Sequence, residues 1–316
     1  SADDSGLSAD GSTVGLTDGG LLVNGDVSLE ADSTLSLGWL GAQISGELSL
    51  VDTSTVTQTS GAIEVGGDLT LDNDTVLTTG SAPVHVDGAV HLKSGSMITC
   101  AALEEGVDNE IQIVASELHM ASGASIDASE KGYPAQTWWN WESWSVDSGT
   151  AGGSHGGQGS LGTNQEHLAN PVYGNLYDPM TAGAGGSARS GGGVIKLDIS
   201  GTLTVDGKIT VNGQNGSGPG AGGSVNIRTD VLTGDGEITS TGGFYNSNQY
   251  GQASGGRIAV LEYSLLAGAF SEEHIGTDDF GITALGGHPQ SCYGGAAGTV
   301  FLRAAADTWG DLVVDN

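Results

Sequence analysis

The sequence predicts an all-β chain wound as a parallel β-helix, a right-handed β-solenoid with about 21 residues per turn in its first half and longer turns in its second. Three observations predict it: like residues recur every 21 positions, apolar and polar residues alternate within each repeat, and Gly-rich insertions in the second half each lead into the same kind of strand.

The period comes first. Gly25, Gly46, Gly67 and Gly88 stand 21 apart, as do Val23, Ile44, Val65 and Val86; Val27, Leu48, Leu69 and Val90; and Leu29, Leu50, Leu71 and Leu92. Val14, Leu35, Val56, Leu77 and Ile98 form a further register, and Ser33, Ser54, Thr75 and Ser96 a candidate hydroxyl ladder. Continued at the same spacing, the register reaches Val107, Ile111 and Ile113, with Asn109 in the glycine place; Asn is the other residue that tolerates positive φ. Inside each unit, stretches such as Asp68-Leu-Thr-Leu-Asp72 alternate as a strand with one buried face does. A strand this short cannot bury that face alone, but copies stacked at the ~4.8 Å inter-strand spacing can. A sandwich of hairpins would not demand the same residue class at a constant offset through five units. The long period and the variable insertions favour the right-handed sense.

In the second half Ile195 and Leu197 recur as Val225 and Ile227, Ile258 and Val260, and Val300 and Leu302, at separations of 30, 33 and 42 residues. The excess length lies in NGQNGSGPGAGG, GGFYNSNQYGQASGG and GGHPQSCYGGAAG, which in a solenoid would line one edge. The chain therefore divides into a regular repeat over 1–129, a Trp/Gly-rich insertion over 130–191, and a stretch with long Gly-rich loops over 192–316, all in one continuous solenoid domain. A Gly-rich loop entering a short strand such as GGVIKL, followed by TLTVDGKITVNG, resembles the β-helical modules of large bacterial cell-surface and adhesin-like proteins. That resemblance implies architecture; such modules serve as spacers, adhesins and enzyme scaffolds alike.

Composition narrows the function. Eight Lys+Arg face 38 Asp+Glu, and residues 1–92 hold 14 acidic residues and no Lys or Arg. A nucleic-acid backbone or an anionic membrane would be repelled. No apolar run approaches the ~20 residues of a membrane-spanning helix. With only six Pro and no three-residue glycine period, the 56 Gly do not indicate collagen. An acidic excess suits a salty, extracellular or cell-surface setting, where ions screen self-repulsion.

Catalytic motifs are thin. A polygalacturonase-like site would pair carboxylates with a Gly-His-Gly turn and Arg-x-Lys on successive turns; here Asp278-Asp279 stands far from Gly153-Ser-His-Gly-Gly157, and Arg-x-Lys is absent. His155 reads as a turn residue in a flexible loop, and the chain as no enzyme. Asp72 and Asp74 are candidate ligands for a structural Ca²⁺, against the simpler reading of solvated turn carboxylates. Cys100 and Cys292 lie in different halves, too far apart for a bridge whose Cα atoms approach within ~7 Å, so both are expected as free thiols.

The stretch QTWWNWESW places Trp138, Trp139, Trp141 and Trp144 within the insertion. Three roles fit: packing on the flank of the shaft, a stacking platform for glycans aided by Tyr133, Tyr173, Tyr177, Tyr245 and Tyr250, or contact with another subunit. Finally, Gly310-Asp-Leu-Val-Val-Asp-Asn316 matches Gly67-Asp-Leu-Thr-Leu-Asp-Asn73 at five of seven positions. Asp311, Leu312, Val313, Val314, Asp315 and Asn316 are thus expected as an open parallel edge, completed by further repeats of a longer chain or by Ser1–Thr13 of the next copy. The expected function is an extracellular surface fibre or adhesive stalk, with a polysaccharide-binding or polysaccharide-degrading β-helix as the alternative.

Overall fold

The computed structural model describes residues 6–16, 19–143, 151–162, 169–246, 250–275, 277, 279–287 and 294–314. The chain is all-β. Its strands form a 15-stranded and a 9-stranded sheet, parallel throughout except where the last strand joins the larger one. Three short 3₁₀ turns are the only helices among the described residues, and none is long and apolar enough to cross a membrane.

Each 21-residue step contributes three short strands, for example Ala42–Ile44, Leu48–Leu50 and Thr55–Gln58. Like pairs with like at that offset: Leu48 with Leu69 and Leu69 with Val90 in the larger sheet, Leu35 with Val56 and Val56 with Leu77 in the smaller. Alternation turns one side chain in two inward, so Leu50, Leu69, Leu71, Val56 and Ile98 are completely buried in a single apolar core running the length of the sheets. Each such burial contributes ~1.5–3 kcal/mol, and stacking like on like repeats the same apolar contact from rung to rung. In the second half Ile195, Val225, Ile258 and Val300 pair successively, as do Leu197, Ile227, Val260 and Leu302.

Four expectations are corrected. The register does not continue at 21 past Cys100: Ile113 pairs with Val84 and Met120 with Leu92, offsets of 29 and 28. The extra residues make a turn in which Glu104 bridges Val107 and the buried Asn109 donates to Ala102 O at 2.7 Å. The hydroxyl column is not a ladder. Ser33, Ser54 and Ser96 are buried, and each donates to the carbonyl three residues earlier, at 2.6, 2.7 and 2.6 Å, locking its own corner.

The third correction concerns the Gly-rich stretches. Their tips stay at the surface, with Asn215, Phe244 and Tyr245 exposed, but extended segments around Gly152, Gly183, Gly192, Gly222 and Gly255 pack against one another as a buried layer bonded backbone to backbone. Gly183 N–H donates to Gly192 O at 2.8 Å, Gly192 N–H to Ala221 O at 2.8 Å, and Gly222 N–H to Ser254 O at 3.1 Å. None of those five glycines has positive φ. What excludes other residues is proximity: a Cβ at Gly222 would stand 2.4 Å from Ser240 O and 2.6 Å from Gly256 N.

Last, Asp311–Val313 does not open another parallel rung. It turns back and pairs antiparallel with Thr299–Ala304, Val313 opposite Val300, which places it at the end of the sheet. At the opposite end Leu7–Asp10 is already a strand, pairing with Val27–Glu30. Asp315 and Asn316 lie outside the described residues.

Candidate functional site

The insertion is anchored by the glycine layer, with Gly132 N–H donating to Gly191 O at 2.8 Å and Tyr133 N–H to Gly183 O at 3.1 Å. From that base the chain makes a two-residue antiparallel ladder, Thr137–Trp138 against Glu142–Ser143, closed by a 3₁₀ turn over Trp139–Trp141. Asn140 and Trp141 take φ of 59° and 58° there.

Two of the rings pair with tyrosines of the same insertion. Trp138 meets Tyr173 edge-on at 5.6 Å, and Trp141 meets Tyr133 at 5.7 Å with planes 85° apart. With Ala182, Ala184, Val194 and Leu103 they make a small apolar cluster of their own. Trp139 remains 52% exposed. Trp144 lies outside the described residues. Tyr245 and Tyr250 form a separate perpendicular pair at 5.3 Å, with Gln252 bonded to the backbone of Tyr245 on both sides of its amide.

Between the insertion and the 101–110 turn lies a cleft of about 450 Å³ lined by Tyr133, Trp139, Trp141, Asp108, Glu110 and Met180 among others. Burial pushes the Glu110 carboxyl above its ordinary range; Lys196 opposes this and the Asp108 charge adds to it. Burial likewise raises the Tyr133 phenol, whose oxygen accepts from the Asn140 N–H at 3.3 Å. The cleft thus presents aromatic walls and a carboxylate pair in unequal environments.

Behind it sits a polar brace that no sequence motif announced. His155 stands at a bend in an irregular segment, as expected of a turn residue, but it is fully buried. Its Nδ1 donates to Gly222 O at 2.7 Å, because a carbonyl can only accept, and its Nε2 accepts from the Thr181 hydroxyl at 3.0 Å. Burial, reinforced by nearby Arg257, lowers its pKa to about 3, so it is neutral and cannot serve as an acid near neutral pH. Arg257, 5% exposed, directs Nε and Nη2 to Tyr173 O at 3.0 and 2.8 Å and Nη1 to Thr299 Oγ1 at 3.2 Å. Among the described residues it has no carboxylate partner. The brace ties the insertion to the strands.

Compared with protein-family models, curated proteins and solved structures, the chain matches none. Among the described residues no three His, Cys, Asp or Glu side chains stand together to hold a metal. Asp72 Oδ2 pairs with Lys93 Nζ at 2.9 Å, and Asp74 occupies a positive-φ corner, φ 57°. A second groove, about 640 Å³, runs along the outer sheet face past Thr70, His91 and His119. The imidazoles stack there at 5.4 Å, and His119 pairs with Glu117 at 2.9 Å, a solvated surface arrangement without enclosing walls.

Proposed function

We propose that the chain is a right-handed parallel β-solenoid, about 21 residues per turn in its first half, that works outside the cell as a rigid stalk or fibre subunit stacked end to end. The observation that carries this reading is where large apolar side chains are left in water. Leu22, Trp39 and Leu40 are 79%, 61% and 51% exposed near one end of the sheets, and Trp309, Leu312 and Val314 are 84%, 52% and 60% exposed at the other. The strands Leu21–Val23 and Asp311–Val313 at those ends each have a single pairing partner. Unpaired strand edges beside exposed apolar surface are templates for another chain. Two unlike ends meeting make a heterologous contact, which propagates rather than closes. The antiparallel last strand means that the joint is not a simple continuation of the parallel stack.

Electron microscopy of the concentrated chain tests the reading. Filaments with an axial repeat on the order of 50 Å, about ten rungs at the inter-strand spacing, are expected, and Trp309→Ser should dissolve them. Monodisperse single particles at every concentration would refute end-to-end stacking. Release of reducing ends or unsaturated products from a polysaccharide panel would replace the structural role by a catalytic one.

A further inference from the structure

We propose that the cleft between the insertion and the 101–110 turn is an aromatic cage for an organic cation bearing a quaternary ammonium head. This goes beyond the stalk reading and does not depend on it. Tyr133 and Trp141 stand 5.7 Å apart with planes at 85°, so their rings meet as two perpendicular walls of a corner. Trp139 adds a third ring, half in solvent, beside them in the same lining. A positive charge within ~6 Å of such ring faces is attracted by their quadrupoles, and most strongly where solvent is thinned by burial. A trimethylammonium group suits this corner because it fills apolar walls with methyl groups and has no N–H that must find an acceptor.

The polar lining selects the sign of the ligand. Asn109 directs its amide N–H inward to Ala102 O, and the Tyr133 oxygen accepts from Asn140 N–H. The charged groups in the lining are both carboxylates, Asp108 and Glu110, and Asp108 is exposed. Lys196, which acts on Glu110, is not part of the lining. Around the cleft the whole chain carries a formal charge of −30, a field that concentrates cations and repels anionic sugars. A neutral glycan would gain nothing from that field. The raised pKa of Glu110 agrees in sign: a cation seated beside it would pull that pKa back down.

Titration calorimetry with the intact chain separates the cases, using choline as the probe and 3,3-dimethyl-1-butanol, its uncharged carbon isostere, as control. Choline is expected to bind and the isostere not. Trp139→Ala, at an exposed position whose loss leaves the melting curve in place, should weaken choline about tenfold, and the isosteric Asp108→Asn severalfold. Equal binding of the isostere would reduce the site to an apolar slot and overturn the proposal. So would choline binding unchanged in both variants, no choline binding at millimolar concentration, or binding of neutral oligosaccharides in its place.

Discussion

Lowering the pH from 8 to 5 should weaken this fold through one buried imidazole. His155 has an ordinary pKa of 6.5 that falls to about 3 in the folded chain. Above pH 6.5 neither state holds the proton and no energy is at stake. Between 6.5 and about 3 the unfolded chain takes up a proton that the folded chain refuses, so stability is lost progressively as pH falls through that window, and below it the loss is complete. At pH 5 the cost is about 2 kcal/mol, and the full shift corresponds to roughly 5 kcal/mol. The acidic surface acts the other way: as 38 carboxylates approach protonation near the pI of 4.1, self-repulsion relaxes and stability rises. The comparison must therefore be between chains. Urea unfolding followed by tryptophan fluorescence at pH 8 and pH 5, in the native chain and in His155→Gln, cancels the common surface contribution. The variant should be weaker at pH 8, having lost two hydrogen bonds, yet its stability change on acidification should be more favourable by about 2 kcal/mol. Identical pH 8 to pH 5 differences in the two chains would refute the argument, because they would mean that the imidazole is already accessible to protons when folded.

Two further outcomes follow from the packing. Gly222→Ala should destabilise by about 2 kcal/mol or more, since the new methyl meets backbone 2.4 Å away that cannot rotate aside; Gly15→Ala, with nothing within 4 Å, is the control and should be near neutral in the same thermal melts. Equal effects would show that backbone proximity is not what selects glycine. Cys100 is buried, and burial drives its thiol up to about 12, so at pH 8 thiolate reagents should leave its peptide unlabelled until denaturant is added, as mass-spectrometric mapping would record. Prompt labelling in native buffer would contradict the burial.

The residues show why some of this was legible in the chain and some was not. Stacked parallel strands require like residues at a constant offset, so Leu48, Leu69 and Val90 expose their pairing to anyone who counts. The count fails at residue 101 because a turn of eight extra residues has no periodic signature, and Ile111 and Ile113 happen to fall on the old register while pairing elsewhere. Glycine misleads for a different reason. A glycine that serves a turn is recognisable from its neighbours, whereas one that admits another backbone at 2.0 to 2.5 Å from its absent Cβ is explained only by a partner far away in sequence. One clue to the buried brace was present: Arg257 pairs in register with Ser224 and Thr299, so a cation stands in a column of small hydroxyl residues. A charge in such a column has to be answered from outside the sheet, and the answer, Tyr173 O and His155 O, comes from the insertion. The same logic separates the tryptophans. Neighbours in sequence, they are not neighbours in role: Trp138 and Trp141 are claimed by Tyr173 and Tyr133, and Trp139 is the described member of the cluster left half in water, beside the carboxylates, where a ligand rather than the core must complete its contacts.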